Sequence, residues 1–472
     1  MMNYSAEYKN TYCNPTPLPD YPLGRNFFRG RTDKSFRETA DPTVLYEDGR
    51  WYLYSSCGMA YVSEDFVTWK HHRVEPYDIG YAPTVVKHKG KYYLAASFNP
   101  ELYVSDSPLG PFQSIGRFTD ADDAVCQFPD IMLFSDEDER LYVYGCMDAA
   151  TPGIIGAELD SDNPTRLITP VKTLIRFSPS NAWECFGEWN QNKKVSYMEG
   201  PFMYKKNGTY YLTYCAPGTE FSTYAMGAYT SDSPLGVFKA QKNNPFTKKK
   251  YGIVRGPGHG CVVDGPNDTI WVFYTCTMCY THPFERRIGY DRAYIDENGE
   301  LCVREITEIP QWAPGFIKDP HHGNNADLLP LTFREAADAS SFVYGREPIY
   351  ATDDSMLTWW EPEKNDKTPV LTVSFNNSLY SIYTARIIWR DVGMDIGNNV
   401  LPGAFGYRIE AGTEGGGWVT VLDQSQSDDD YNIDYQILCP ANAKAVRLVI
   451  TKWPAGITPG VISFCVFGKF YK

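Results

Sequence analysis

One pattern recurs five times along this 472-residue chain. In each copy an apolar strand is followed by a polar turn and then by a second strand that is rich in aromatic residues. The copies begin at Asp41, Ala82, Pro129, Glu199 and Gly258. A single hairpin cannot cover both of its own faces, so the copies must pack together to form a hydrophobic core.

A further strand follows several copies and is repeated almost verbatim. The stretch YVSDSPLGPF begins at Tyr103, YTSDSPLGVF begins at Tyr229, and the looser YVSEDFVTW begins at Tyr61. Each unit is therefore predicted to be a small antiparallel sheet of three or four strands. Five such sheets arranged radially form a β-propeller, which leaves only short, protected edges. A parallel β-helix, the alternative, needs much shorter periods and lacks these hairpins.

The C-terminal part of the chain does not continue the repeat. Short alternating stretches such as ARIIWRDVG, YRIEAG and AKAVRLVITKW are typical of sandwich strands. The predicted fold class is thus all-β, a five-bladed β-propeller in residues 1–320 followed by a jelly-roll β-sandwich in residues 321–472. The sandwich either binds glycan or packs on the propeller. The acidic loop 426–430 carries no aromatic platform and favours packing.

Charge limits the kinds of partner. The net charge is −14 and the isoelectric point is about 5.1. Such a surface repels nucleic acid phosphates and anionic membranes, so we expect neither partner. A neutral carbohydrate substrate remains compatible. Oligomeric state is left open.

Features related to the cellular compartment point mildly to a reducing one. The twelve cysteines are scattered, many of them within apolar strand patterns. No apolar run reaches the roughly 18 residues of a membrane span. The N-terminal MMNYSAEYKNTYC has no apolar signal-peptide core. We expect a cytoplasmic protein, or a periplasmic or secreted one if a leader was removed before this numbering.

The start of each innermost strand faces the central axis at one mouth of a propeller. Four of the five copies place a chemically reactive side chain there, namely Asp41, Asp130, Glu199 and His259, whereas Ala82 occupies this place in the second copy. A purely structural cap would be satisfied in the same way in every copy. The selective use of acids therefore favours a functional cluster.

Crowded carboxylates in a partly dry funnel do not all ionise at their usual pKa. One is driven towards its protonated form while another stays anionic, which separates a general acid from a general base. An acid that protonates a leaving oxygen and a base that activates water perform glycoside hydrolysis. Phe128 and Trp183 are candidates for stacking on sugars, although each also suits a core. His259 suits a general base, a metal ligand or a core histidine, and contact with water or an ion is favoured.

These motifs resemble glycoside hydrolase family 43, five-bladed propeller enzymes that act mostly on arabinofuranosides and xylosides. Asp41-Pro-Thr-Val is similar to the strand that carries the family's general base, and Glu199-Gly-Pro-Phe-Met-Tyr-Lys is similar to its general-acid motif. The strand from Asp130 resembles the one bearing the aspartate that orients the acid and adjusts its pKa. It lacks a following proline or small residue, which makes it the weakest match. Gly258-His259-Gly260 resembles the axial histidine motif.

The resemblance also implies substrate-binding and cofactor properties. Arg286 fits the spacing of a late arginine that approaches the reacting sugar, and Arg287 is the alternative. No cofactor is expected to be required, and a structural calcium ion or a water is expected near His259. The family inverts anomeric configuration, which needs acid and base ~6.5–9.5 Å apart. The C-terminal part resembles the discoidin-like, galactose-binding sandwich of carbohydrate-binding modules.

The sequence therefore predicts an exo-acting, inverting glycoside hydrolase with Glu199 as acid, Asp41 as base and Asp130 as modulator. The predicted activity is an α-L-arabinofuranosidase that removes side chains from plant polysaccharide or oligosaccharide. A β-xylosidase, a β-galactofuranosidase or a propeller that only binds glycan are the alternatives.

Overall fold

The computed structural model describes residues 7–22, 35–56, 58–76, 79–278, 280–317, 323–376 and 378–471. Within these ranges no helix has the length and apolar character needed to cross a membrane. The ten cysteines that lie in them are free thiols, and Cys57 and Cys279 fall outside them. The domain boundary predicted between residues 320 and 321 also falls outside the described residues.

The first strand, β1, covers Thr11–Tyr12, and the next twenty strands form five four-stranded antiparallel sheets. Each sheet uses one continuous stretch of chain and its strands pair in sequence order. The sheets are β2 Thr43–Glu47, β3 Arg50–Ser55, β4 Met59–Ser63 and β5 Lys70–Arg73; β6 Tyr81–His88, β7 Lys91–Ser97, β8 Glu101–Ser105 and β9 Gln113–Arg117; β10 Met132–Ser135, β11 Leu141–Cys146, β12 Gly153–Leu159 and β13 Lys172–Arg176; β14 Glu199–Lys206, β15 Thr209–Ala216, β16 Ala225–Ser231 and β17 Lys239–Ala240; β18 Gly258–Gly265, β19 Thr269–Thr277, β20 Arg286–Ile295 and β21 Leu301–Val303. The predicted five-bladed propeller is confirmed.

Turn chemistry explains the tight hairpins at the inner edge of the blades. Asn207 and Gly208, between β14 and β15, both have positive φ, at 51° and 79°. Two consecutive residues of this kind match the twist of the flanking strands, and Asn-Gly adopts them readily. Asp48-Gly49 and Lys89-Gly90 join the corresponding strands of the first two blades with the same geometry. The repeat is therefore visible in backbone conformation as well as in sequence.

The C-terminal strands form two sheets that face each other. A short strand, β22 Gln311–Trp312, pairs with β1 before them. One sheet has the order β23-β31-β26-β29 and the other has the order β24-β25-β30-β27-β28. Their bounds are β23 Leu329–Pro330, β24 Ala337–Ala339, β25 Val370–Ser374, β26 Tyr380–Val392, β27 Gly406–Gly412, β28 Trp418–Asp423, β29 Ile433–Ala443, β30 Ala445–Lys452 and β31 Thr458–Phe470. Four 3-10 helices lie in the described ranges, at Ala182–Glu184, Pro266–Asp268, Pro348–Ala351 and Ile396–Asn398.

The sandwich has its own core and also shares one with the propeller. Side chains from both of its sheets, among them Ile387 and Leu448, bury each other in one cluster. A second cluster joins Trp51 and Phe273 of the propeller to Ile388 and Ile462 of the sandwich. The two parts are therefore packed together through apolar contacts, which hold one face of the propeller against the sandwich.

Candidate active site

Strand register identifies the equivalent position in all five blades. Thr43, Thr84, Met132, Phe202 and Cys261 each pair with the corresponding residue of the second strand. The residue two places earlier has positive φ in every blade. These residues are Asp41 at 55°, Ala82 at 45°, Asp130 at 48°, Gly200 at 56° and His259 at 26°.

The fourth blade thus differs from the prediction in one respect. Gly200, not Glu199, is the structural equivalent of Asp41 and Asp130, and Glu199 lies one residue earlier. A Cβ at Gly200 would lie 2.7 Å from the His259 ring and 2.9 Å from Cys215 Sγ. Because glycine leaves this space open, the acid of the fourth blade comes from the neighbouring position.

A ring of small polar residues at the end of each second strand supports these positions. In three blades the backbone N–H of the positive-φ residue is donated to a hydroxyl of the preceding blade: Asp41 N to Thr275 Oγ1 at 2.9 Å, Ala82 N to Ser56 Oγ at 3.0 Å, and Asp130 N to Ser97 Oγ at 2.6 Å. The equivalent thiol of the fourth blade, Cys215, donates to Glu199 O at 3.1 Å. At the junction of blades three and four, Gly200 N instead donates to Asp130 Oδ2 at 3.2 Å. The blades are therefore linked around the axis beside the acids.

Asp41 is only 4% exposed and is held as an anion. Arg286 donates Nη1 to its Oδ1 at 3.0 Å and Nη2 to its Oδ2 at 3.1 Å, and Ser56 donates to Oδ2 at 2.5 Å. Burial by itself raises the pKa of this carboxyl, but the charges of Arg286 and His259 and these hydrogen bonds outweigh it. The pKa of Asp41 is consequently lowered below its usual range.

Glu199 has the opposite environment. It is half-buried, and Tyr224 donates its hydroxyl to Oε1 at 2.7 Å. Withdrawal from water raises its pKa most, and the negative charge of Asp130 adds to this. The Tyr224 hydrogen bond opposes the rise, whereas the charges of Asp41 and Glu220 contribute to it. The pKa of Glu199 lies well above its usual range, which favours the protonated form of this carboxyl.

Asp130 and His259 lie between these two carboxyls. Asp130 Oδ1 accepts from Ser97 Oγ at 2.8 Å, while its Oδ2 faces the backbone of the fourth blade. His259 Nδ1 is 3.4 Å from Asp41 Oδ1 and 3.7 Å from Asp130 Oδ2. The structure thus brings together all three predicted acids and the predicted histidine at one mouth of the propeller.

Of the two candidate arginines, only Arg286 faces the acids. Its Nη2 also donates to Glu38 Oε1 at 2.6 Å. Consecutive strand residues point to opposite faces, and Arg287 accordingly turns away and donates to Asn432 Oδ1 at 2.7 Å. Burial raises the pKa of Glu38 to about 7 in spite of Arg286, and Tyr81 donates its hydroxyl to the other oxygen at 3.0 Å.

The two predicted stacking residues both pack against other aromatic rings. Phe128 is 5% exposed and packs in the core between the second and third blades, with its ring 6.0 Å from that of Phe118. Trp183 packs against Tyr214 at 5.4 Å between ring centroids. Phe128 therefore covers a blade interior, whereas Trp183 is half-buried beside the core of the fourth blade. Sugar stacking stays a prediction for these two residues.

Sequence reasoning missed several residues that contact the cluster, among them Glu38, Ser56, Ser97 and Tyr224. Glu38 precedes the first repeat, Ser56 immediately follows β3, Ser97 ends β7, and Tyr224 immediately precedes β16. The repeat points only to the starts of the innermost strands, and these residues lie elsewhere. The signal that could have found Ser56 is the recurrence of a small polar residue at the end of each second strand.

Metal binding gains no support from the cluster. No group of three or more His, Cys, Asp and Glu residues in the described part of the chain is arranged to hold a metal ion. The calcium ion or water expected near His259 stays a prediction, and no step below is routed through a metal.

The fold and the site define a five-bladed propeller protein with a carboxylate cluster at one mouth. The profile described as glycosyl hydrolases family 43 matches residues 34–301, which is more than half of the chain. The chain belongs to this family.

Individual relatives match over shorter stretches. A "Beta-D-galactofuranosidase xynD" of Aspergillus niger is 26% identical over 122 residues, 26% of this chain and 36% of that protein. An "Extracellular exo-alpha-(1->5)-L-arabinofuranosidase" of Streptomyces chartreusis is 35% identical over 125 residues, 23% of this chain and 32% of that protein. The matched segments therefore span only about a third of these relatives. A solved structure titled "Glycoside hydrolase" covers 91% of this chain and 97% of its own, at 20% identity and a TM-score of 0.51, which supports the fold.

Proposed function

We propose that this protein is an exo-acting, inverting glycoside hydrolase whose substrate is a carbohydrate. One observation carries the proposal: two carboxyls at one propeller mouth have opposite surroundings. Arg286 pairs with Asp41 and helps to lower its pKa, whereas burial and the nearby charge of Asp130 raise the pKa of Glu199. Such a separation provides a base and an acid at the same pH. Inverting glycosidases need this pair on opposite faces of the reacting sugar.

In the proposed reaction, protonated Glu199 donates its proton to the glycosidic oxygen as the bond to the anomeric carbon breaks. A water attacks that carbon from the other face and gives its proton to Asp41. Asp41 Oδ2 already accepts hydrogen bonds from Ser56 and Arg286, whereas Oδ1 accepts one from Arg286 and lies 3.4 Å from His259 Nδ1. Because a carboxylate has about four acceptor positions, we assign the proton to Oδ1, the oxygen with fewer hydrogen bonds.

Asp130 would keep Glu199 protonated until the sugar arrives. Its negative charge raises the pKa of the acid, and its hydrogen bond to Gly200 N fixes the backbone beside Glu199. Arg286 would hold Asp41 in position through its two hydrogen bonds to that carboxylate, and its approach to the sugar stays a prediction. These roles follow from the contacts and are proposals for each residue.

For the substrate we propose an α-L-arabinofuranoside, with arabinofuranose removed from the side chains of a plant polysaccharide or oligosaccharide. The Streptomyces relative named as an arabinofuranosidase, which is 35% identical over its matched segment, supports this choice. Because the Aspergillus relative is named as a galactofuranosidase, β-galactofuranosides are alternative substrates. β-Xylosides are a further alternative.

The direct test first screens chromogenic furanosides and pyranosides with the wild type. It then compares the wild type, Glu199→Gln and Asp41→Asn on an oligosaccharide that ends in the cleaved sugar, because a sugar leaving group needs protonation. We expect one furanoside to be cleaved and both variants to lose about 10²–10⁴-fold in kcat, the usual contribution of a general acid or base. NMR of the first product should show an inverted anomer. A wild type that binds sugar but cleaves nothing refutes the enzymatic proposal, and variants with wild-type rates refute the assignment of the residues.

A further inference from the structure

Trp189 is an indole placed in solvent on a rigid support. It is 74% exposed and lies in the connection from β13 to β14. A large apolar side chain this accessible contributes nothing to a core. The question is what the exposed ring contacts when the protein works.

The turn that carries Trp189 is tightly hydrogen-bonded. Asn190 donates its Nδ2 to Trp183 O at 3.1 Å and to Cys185 O at 2.9 Å. Trp189 N donates to Gln191 Oε1 at 3.0 Å, and an antiparallel bridge joins Phe186 to Asn192. An indole on such a turn loses little conformational entropy when a ligand binds.

One face of the indole is fixed by Lys250. Its Nζ lies 3.6 Å from the ring centroid, a cation–π contact, and the same Nζ donates to Glu188 O at 2.9 Å. The Glu188 carboxylate accepts in turn from the backbone N of Ser222 at 3.0 Å and from its hydroxyl. Lys250 covers one face of the indole, so the opposite face is the one exposed to solvent.

Strand direction places Trp189, Lys250 and Ser222 at the propeller mouth that holds the acids. The innermost strand β14 starts at that mouth, so the connection before it, with Trp189, lies there. By the same reasoning the β15–β16 connection, with Ser222, and the β17–β18 connection, with Lys250, lie at this end. Tyr224, two residues after Ser222, donates directly to Glu199.

The identity of Glu199 as the acid determines which part of a substrate passes here. A general acid must touch the leaving oxygen, so the leaving group departs on its side. The connections around the fourth blade flank that side. The exposed indole on these connections is suited to the apolar face of a sugar ring.

We propose that Trp189, supported by Lys250, is the binding platform for the first sugar ring of the leaving group. This inference rests on the proposed function and deepens it. The preferred substrate is then an oligosaccharide or polysaccharide branch, in which a ring follows the scissile bond, rather than a glycoside of a small alcohol.

The test compares Trp189→Ala, Trp189→Phe and wild type on arabinofuranosyl-substituted xylotriose, with free arabinose as an inhibitor. We expect Trp189→Ala to lower kcat/KM about five- to tenfold, the scale of one lost aromatic contact, mainly through KM. Trp189→Phe should keep most of the wild-type kcat/KM. The Ki for arabinose should be the same in the wild type and in both variants. Tyr344→Ala, which removes a 95% exposed aromatic of the sandwich, is the matched control.

Binding separates this inference from the proposed function. Calorimetry on Glu199→Gln and on Glu199→Gln/Trp189→Ala measures the oligosaccharide Kd without turnover. A Kd raised about five- to tenfold by removal of Trp189 supports the platform even if the wild type hydrolyses nothing. An unchanged Kd, or an equal loss of affinity for arabinose and for the oligosaccharide, overturns the platform. In either case, hydrolysis by the wild type would still support the proposed function.

Discussion

At the scale of single residues, the same functional group has two chemical states within one cluster. Asp41 receives two hydrogen bonds from Arg286 and one from Ser56, whereas Glu199 receives one from a neutral tyrosine and faces the charge of Asp130. A cation beside one carboxyl and an anion beside the other suffice to move their pKa values apart. The proposed division between base and acid therefore depends on the residues that surround each carboxyl.

The raised pKa of Glu199 has a consequence for stability that does not depend on activity. Its folded-state pKa lies above the unfolded value of about 4.3, so the protonated carboxyl contributes fully below that value. The contribution is lost as pH rises through the folded-state pKa. Glutamine has no such proton to lose. We expect Glu199→Gln to have the wild-type Tm near pH 4 and a higher Tm above neutral pH, with about 1–2 °C per kcal/mol gained in a protein of this size.

Thermal unfolding followed by circular dichroism between pH 4 and pH 9 measures this difference. Glu188→Gln is the control, because this glutamate lies at the same end of the blade but outside the carboxylate cluster. A Tm difference between Glu199→Gln and wild type that is constant over the whole range contradicts a raised pKa.

At the scale of strands, a common backbone conformation places different side chains at the axis. Ala82 adopts the same positive φ as Asp41 without glycine, so strain of this size is tolerated in the fold. Gly200 is different because of its crowded surroundings. Its missing Cβ is the space into which the His259 ring fits.

Alanine substitution separates these two effects. Gly208 has φ 79° in the exposed turn, and nothing lies within 4 Å of the position that a Cβ would take there. Gly208→Ala should therefore cost about 1–2 kcal/mol from backbone conformation alone. Gly200→Ala adds overpacking of about 1–3 kcal/mol. Urea unfolding should consequently show a larger loss for Gly200→Ala, and equal losses at the two positions would mean that the His259 contact is not tight.

The blades could be predicted because their period, turns and strand patterns are local properties of the sequence. The acids could be found because they start repeated strands. The one-residue offset of Glu199 could not, since it depends on which residue leaves room for His259. Glu38 and Tyr224 were also missed, because their contacts are made across the fold. The choice of Arg286 over Arg287 needed the orientation of β20.

At the scale of the whole molecule, the sandwich contacts the strands that carry the active-site arginine and its partners. Arg37, next to Glu38, donates Nε to Asp391 Oδ2 at 2.7 Å, and Arg390 donates to Glu285 Oε1 at 2.6 Å. Asn432 of the sandwich accepts a hydrogen bond from Arg287, the residue that follows Arg286. These contacts favour a packing role for the sandwich, and the acidic loop 426–430 takes part through Asp430, which accepts from Arg37.

Removal of one buried partner tests this packing. The side chains of Arg37 and Asp391 are 1% and 4% exposed. Asp391→Asn should reduce the free energy of unfolding by about 3 kcal/mol, because a buried guanidinium is left without its full counter-charge. Asp428→Asn, at the exposed ion pair with Lys452, should leave stability unchanged. Urea unfolding measures the free energy of unfolding of both variants. If Asp391→Asn were as stable as the wild type, the interface would be loosely packed.

The central claim is that Glu199 holds the proton that leaves with the glycosidic oxygen. It is tested most directly by the dependence of Glu199→Gln on leaving-group acidity. A dinitrophenyl leaving group departs without protonation, whereas a sugar alcohol needs it. We predict that kcat/KM of Glu199→Gln falls about 10²–10⁴-fold for an oligosaccharide and stays close to wild type for the dinitrophenyl glycoside of the same sugar. An equal fall for both substrates would contradict the assignment.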